Sequence, residues 1–285
     1  MIELKELGFR YPRSGKPLFQ GLDLQLPAGT ICGMLGANGA GKSSLLRLLG
    51  GLSFPQQGSC KVLGFVPAER LPAFLADIFL LPEEISVAPV TPAAYARRYG
   101  GFYPRFDQAT YDKLLADFEL PTDRKLTEYS YGQTKKFLLA FGIATNARLL
   151  IMDEPTNGLD IPGKHHFRRA LINHFTPERS FLISTHQVHD LEGLIDSVMI
   201  IADGNILLHA TLDALTARLQ VRLEQEAPDD ALYVEETLAG YRVVRENSSG
   251  MEAELNLELL FGLATSASTR LRQVLASGLQ SEVAR

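Results

Sequence analysis

Short apolar runs alternate with amphipathic stretches through the first two-thirds of the chain. Residues 30–35 (TICGML) have the length and unbroken hydrophobicity of a strand buried on both faces. A Gly-rich turn follows. In residues 42–52, Leu45, Leu46, Leu48, Leu49 and Leu52 then fall on one helical face. Leu149–Asp153 and residues 181–185 and 198–202 are further runs of central-strand length. Apolar strands separated by helical patterns predict an α/β fold with a parallel sheet covered on both faces.

Two regions break that pattern. Between about residues 89 and 145 the periodicity is helical only, with its best helices at 111–119 and 135–144. This reads as a helical insertion between core strands. The second region begins near residue 210. Leu212, Leu215, Leu219 and Leu223 give residues 211–225 helical spacing, and Ala227-Pro228-Asp229-Asp230 is a linker-like turn. Beyond it, 231–235 and 241–245 read as strands, 247–250 as a turn and 252–257 as an extended stretch. Residues 259–277 read as mostly helical. Residues 211–285 are expected to form a small α+β accessory subdomain behind a main domain of residues 1–210.

Composition narrows the picture. The chain has 285 residues, 46% of them hydrophobic, enough for one large core with a small appendage. Its net charge of -5 is not the basic footprint of a nucleic-acid binder. The two cysteines, Cys32 and Cys60, lack metal-binding spacing and read as buried thiols in a reducing cytosol. No secretory leader is visible, and no apolar run approaches the roughly 20 residues of a membrane-spanning helix. A role at a membrane then requires another chain to supply the crossing.

Gly36-Ala37-Asn38-Gly39-Ala40-Gly41-Lys42-Ser43 fits G-x-x-x-x-G-K-[ST]. Glycines let successive backbone N–H groups point inward at phosphate oxygens. The helix that follows aims its N-terminus at the same anion. Lys42 reaches the β- and γ-phosphates, Ser43 can ligate Mg²⁺, and Ser44 continues the cradle into the helix. By itself this loop names only a phosphate binder. Leu149-Leu150-Ile151-Met152-Asp153-Glu154 adds an apolar strand that ends in two acids. Asp153 is the candidate Mg²⁺ ligand. Glu154 is the candidate group that orients or deprotonates an attacking water.

With these residues in place, positions 1 to about 210 resemble the ATP-binding subunit of an ABC transporter. Residues 36–43 match its Walker A loop and 149–154 its Walker B strand. Tyr129-Ser130-Tyr131-Gly132-Gln133 resembles its signature motif and Asn157-Gly158-Leu159-Asp160 its D-loop. His186 resembles the switch histidine, and Tyr11 the aromatic that stacks on adenine, with Phe9 as the alternative. The resemblance implies a P-loop NTPase (RecA-like) core with an N-terminal antiparallel β subdomain and a helical insertion at about 87–145. It implies ATP and Mg²⁺ as cofactors, with Glu154, His186 and Lys42 catalytic. It further implies a head-to-tail homodimer in which Ser130, Gly132, Gln133 and Asp160 face the ATP held by the other copy.

Two motifs depart from that pattern. The usual Leu-Ser-Gly-Gly-Gln has Tyr129 and Tyr131 in place of its Leu and first Gly. Where the family's metal-side glutamine is expected, the stretch Ile78-Phe79-Leu80-Leu81-Pro82-Glu83-Glu84 offers Glu83, with Glu84 as the alternative. Glutamate keeps an acceptor oxygen for the metal but adds negative charge beside Asp153 and Glu154. These variants and the tail containing Glu258-Leu259-Leu260-Phe261 resemble stand-alone ATP-binding subunits of bacterial exporter systems. Such a subunit lies on the cytoplasmic face of the membrane and works with transmembrane permease subunits. The aromatic and basic stretch 87–106, with Tyr95, Arg97, Arg98, Tyr99, Tyr103 and Arg105, is the expected docking surface. A soluble ABC-type ATPase acting on ribosomes or DNA, or a non-hydrolysing ATP switch, is the alternative.

Overall fold

A computed structural model describes residues 1–12, 15–247 and 255–276. At the N-terminus, β1 (Ile2–Phe9) pairs antiparallel with β2 (Phe19–Leu26). In β2 the residues Leu22, Leu24 and Leu26 are buried at every second position, so only one face of this sheet is covered. The strand β3 (Ile31–Leu35) is buried at all five positions, as its unbroken apolar pattern requires. Helix α1 (Lys42–Leu49) buries Leu45, Leu46, Leu48 and Leu49. It stops before the expected Leu52 because Gly50 and Gly51 end it, Gly51 with φ of 67°. Leu52 is left exposed. β4 (Gln57–Val62) returns antiparallel to β1, completing the three-stranded order β2-β1-β4.

After α2 (Pro72–Leu75) and β5 (Ile78–Leu81), no strand occurs until β6 (Leu149–Asp153). The interval holds α3 (Pro92–Tyr99), α4 (Gln108–Asp117) and α5 (Tyr131–Ala144). The helix expected at 111–119 starts earlier, at Gln108, because the Asp107 carboxylate accepts from the Ala109 and Thr110 amides. The one expected at 135–144 starts at Tyr131 because Ser130 caps it. Phe141 of α5 is ringed by Tyr95, Tyr103, Phe106 and Tyr111, all with centroids within 6.1 Å. Much of the aromatic stretch in this region is therefore interior packing.

The chain continues through α6 (Ile161–His174), β7 (Ser180–Thr185), β8 (Ser197–Ala202) and β9 (Asn205–Thr211). The central sheet has six strands in the order β5-β6-β7-β3-β8-β9, parallel except for β9. Register matters here. Leu35 lies opposite Thr185, and Asp153 opposite Ser184. The C-terminal ends of β3, β6 and β7 therefore reach one edge together, which is where ligands bind in sheets of this kind. One face packs α1 and the N-terminal sheet in a cluster that includes Leu4, Leu24, Met34, Leu45 and Ile151. The other packs Phe137, Phe141, Phe167, Phe181 and Val198.

The rest comprises α7 (Leu212–Thr216), β10 (Leu219–Glu224), β11 (Tyr233–Thr237), β12 (Gly240–Glu246), α8 (Leu257–Ser266) and α9 (Ser268–Ala276). Residues 211–225 are not the single helix their leucine spacing predicts. After α7 the chain pairs Leu219–Glu224 antiparallel with β12, and Leu223, expected on the helix's apolar face, is exposed. A long-range ladder overrides a local period. The strand expected at 231–235 runs instead over β11. Residues 248–250 of the expected turn and 252–254 of the expected extended stretch lie outside the described residues. Leu257 opens α8, capped by the Asn256 side chain, and Ala267 separates α8 from α9. Leu215, Leu219, Val244, Leu260 and Leu271 join the same apolar cluster as Phe181. No helix among the described residues is long and apolar enough to cross a membrane.

Candidate functional site

The loop 36–43 joins β3 to α1 at the edge where the strands end. Gly39 and Gly41 adopt φ of 81° and 108°, conformations that strain other residues. A Cβ on Gly36 would lie 2.6 Å from the Ile201 carbonyl oxygen, so the loop passes where only glycine fits. Lys42 is buried. Its Nζ donates to the Gly36 carbonyl at 2.7 Å and the Ala37 carbonyl at 3.3 Å. It also stands 3.7 Å from Glu154 Oε1. The lysine is held inside the loop, beside the acid contributed by the neighbouring strand system.

That acid is positioned by unusual backbone. Glu154 follows β6 with φ of 46°, a left-handed conformation costing about 1 kcal/mol or more for a residue with a side chain. Its N–H donates to the Ser184 carbonyl at 3.1 Å, which anchors the bend to β7. The buried carboxylate accepts from Thr185 Oγ1 at 3.2 Å through Oε2 and from His186 Nδ1 at 2.9 Å through Oε1. Since a carboxylate accepts, Nδ1 is the donor in this bond. Asp153 is also buried and accepts from the Ser184 hydroxyl. Sequence reading does not single out Ser184 and Thr185. Their signal is two hydroxyls at the end of an otherwise apolar buried strand, where polar groups need partners.

Loop, acid and histidine open onto one cavity of about 540 Å³. Asn38, Gly39, Gly41, Lys42, Ser43 and Ser44 line it together with Glu83, Glu154 and His186. Of Glu83 and Glu84, only Glu83 lines it. Tyr11 closes the rim, with its hydroxyl 2.8 Å from Ser44 Oγ and its ring edge-on to Phe9 at 4.9 Å. Phe9 itself is buried. Lys16, Pro17 and Leu18 complete the rim, and no motif marks them. Gly36, Ala40 and Asp153 support the wall without lining it.

Ser130, Gly132, Gln133 and Asp160 are absent from this cavity. Ser130 Oγ accepts from the Gln133 amide at 3.2 Å while Gln133 Oε1 accepts from the Ser130 amide at 3.0 Å, a reciprocal cap on α5. A Cβ on Gly132 would lie 2.7 Å from the Gly158 carbonyl, so the cap is pressed against the 157–160 turn. Asp160 caps α6 by accepting from the Gly163 amide at 3.1 Å and pairs with Lys136 Nζ at 2.9 Å. The sequence-predicted residues thus fall into two groups, one around the cavity and one around the start of α5.

The cavity group can hold a polyphosphate through loop amides, a buried ammonium and a helix N-terminus. No group of three or more His, Cys, Asp or Glu side chains among the described residues is arranged to hold a metal unaided. Ser43, Asp153 and Glu83 offer oxygen donors of the kind Mg²⁺ accepts when phosphates supply the rest of its shell. Cys32 and Cys60 are buried free thiols, and burial pushes each up to about 12.

Residues 19–157 match the protein family described as ABC transporter. The chain is 27% identical over 217 residues to the ABC transporter ATP-binding protein YtrB of Bacillus subtilis, spanning 75% of this chain and 73% of that protein. It is 29% identical over 240 residues to the fluoroquinolones export ATP-binding protein MT2762 of Mycobacterium tuberculosis, spanning 81% and 77%. Among solved structures, one described as the ATP binding subunit of an ABC transporter superposes with a TM-score of 0.68 at 24% identity, covering 75% of this chain and 90% of the other.

Proposed function

We propose that this chain, which belongs to the ABC transporter family as an ATP-binding protein, hydrolyses ATP in a dimer and thereby drives export through membrane subunits. The observation that carries this reading is the separation of the two residue groups. Lys42, Glu154 and His186 share a cavity, whereas Ser130 and Gly132 sit at a second helix start away from it. A helix N-terminus, with its dipole and first-turn amides, can attract an anion. Two copies arranged head to tail would place it over the partner's γ-phosphate. Residues 1–210 would be the motor domain, with its insertion at 87–145, and residues 211–285 an accessory part.

In this mechanism the loop amides and Lys42 bind the β- and γ-phosphates. Ser43 and Asp153, with Glu83 beside them, would hold Mg²⁺, which supplies charge neutralisation when bound. Tyr11 would stack on the adenine. Glu154 accepts a proton from the water that attacks the γ-phosphorus, and the bond to the β-phosphate oxygen breaks to leave ADP and phosphate. His186 is held by Glu154 through Nδ1, and its Nε2, when protonated, would donate to the γ-phosphate. Closing over two ATP molecules and reopening after hydrolysis is the motion passed to the permease.

An apolar groove of about 720 Å³ suits that permease contact. Leu52, Phe79, Tyr95, Tyr99, Phe102 and Tyr103 line it, and Phe102 is 69% exposed. Large apolar side chains left in solvent mark interaction surfaces. The proposed docking site is therefore this groove, with Leu52 and Phe102 as its exposed large apolar members, rather than the whole stretch 87–106, whose Arg97 and Arg98 do not line it. The chain would then lie on the cytoplasmic face of the membrane, held by its partner.

Affinity capture of the tagged chain from native membranes tests this reading. A co-purifying multi-span chain, lost in Phe102→Asp and kept in Arg97→Glu, is expected. Recovery without any membrane chain, together with salt-sensitive RNA or DNA binding, would instead favour the soluble ATPase.

A further inference from the structure

Two of the three positions at which the sequence leaves its family pattern, Tyr131 and Glu83, meet in space. The Tyr131 hydroxyl, standing where the signature has glycine, donates to the backbone carbonyl of Glu83 at 2.9 Å. Lys135 lies four residues further along α5, on the same helix face. Its Nζ donates to the same Glu83 carbonyl at 3.3 Å, lies 3.4 Å from the Tyr131 hydroxyl and stands 5.5 Å from the Tyr131 ring centroid. Glycine at 131 could make none of the contacts of the Tyr131 hydroxyl and ring, and would leave only the Lys135 bond to Glu83. The Tyr131 ring also covers Gly158, where a Cβ would lie 2.6 Å from its Cδ1.

Lys135 is fully buried, and its direct hydrogen-bond partners, a carbonyl and a hydroxyl, are neutral. Burying an ammonium in this way is costly unless longer-range charge compensates. Burial lowers its pKa, and the negative charges of Glu83, Asp153 and Glu154 act against that shift. Of these three charges Glu83 acts most strongly in favour of the Lys135 ammonium, although burial still prevails.

We propose that Tyr131 and Lys135 are positioning residues that strap the Glu83 segment to the start of α5. The Glu83 side of a subunit's own ATP cavity and the Ser130–Gln133 surface it offers a second copy would then move as one body. This deepens the two-copy reading above and rests on it for the second half of the claim. The strap itself involves one copy only.

Hydrogen–deuterium exchange on the nucleotide-free full-length chain tests the strap directly. Tyr131→Phe keeps the ring and removes the donor, so the start of α5 should fray more readily, and the amides of Gln133 and Thr134, which both donate to Ser130, are expected to exchange about fivefold faster, the scale of one lost hydrogen bond. Lys135→Met should do the same, and Lys135→Arg should restore most of the protection. With ATP, Tyr131→Phe is expected to lower kcat by a similar factor while leaving ATP affinity unchanged. Unaltered exchange in both Tyr131→Phe and Lys135→Met would overturn the strap. Faster exchange with unaltered kcat would overturn its positioning role. Because the exchange is read without nucleotide, a wild-type chain that hydrolyses no ATP with its membrane partner would sink the proposed function and the positioning role, but not the strap.

Discussion

His186 Nδ1 stands 2.9 Å from Glu154 Oε1, the same oxygen that lies 3.7 Å from Lys42 Nζ. One carboxylate oxygen is therefore shared by residues from the loop after β3 and from the end of β7. Glu154 organises the site as well as offering it a proton acceptor.

Replacing Glu154 by Gln keeps the size and one acceptor oxygen but removes the charge and the basicity. ATP turnover is expected to fall by about 10²- to 10⁴-fold, the range for a lost general base. Nucleotide binding should survive, and light scattering should find an ATP-dependent dimer. Residual turnover near the wild-type rate would rule out Glu154 as the base.

Lys42→Ala removes a buried ammonium that already holds the Gly36 and Ala37 carbonyls. ATP affinity is expected to drop at least about tenfold, since each charge-assisted hydrogen bond contributes roughly 1.5–3 kcal/mol. Mixing this variant with wild-type chain should lower activity by more than dilution, because in the proposed head-to-tail dimer each site needs two copies. A strictly proportional loss in calorimetry-matched mixtures counts against the shared site.

Glu83→Gln restores the family's residue and removes one negative charge from the cavity. Mg-ATP binding is expected to stay within about threefold of wild type, while kcat shifts by roughly tenfold, the scale seen when a metal-site partner is altered. The Tyr131 hydrogen bond should persist, since it is made to the Glu83 backbone. Unchanged kcat across a Mg²⁺ titration would remove Glu83 from the metal side.

His189 links the segment after β7 to α8. Its Nδ1 lies 3.3 Å from Glu192 and its Nε2 3.1 Å from Glu258. The hydrogen bond to Glu192, then the charges of Glu258 and Glu192, raise its pKa above the ordinary 6.5. A raised folded-state value means the stabilisation is fully present below 6.5 and is lost as pH rises through the folded value. His189→Gln should therefore lower Tm at about pH 6 and leave it unchanged near pH 9, with a small effect throughout because the ring is exposed. Equal Tm differences at both pH values would exclude the linkage.

Local chemistry made much of this protein legible in its sequence. The loop 36–43 is written in glycines whose conformations other residues avoid. The strands β3, β6, β7 and β8 are written in short, largely apolar runs that suit a doubly covered sheet. The caps at Asp107 and Ser130 moved helix starts by a few residues, a local correction. What tertiary structure decided depends on partners far away in sequence. Leu219–Glu224 became a strand because β12 was there to pair with it, against a leucine spacing that favoured a helix. The joint arrival of Lys42, Glu154 and His186 follows from the register of β3, β6 and β7, which no single segment encodes. The meeting of Tyr131, Lys135 and Glu83 brings together residues up to 52 positions apart. Periodicity can place each on its element, but only the packing of α5 beside the end of β5 turns two departures from a motif into one contact.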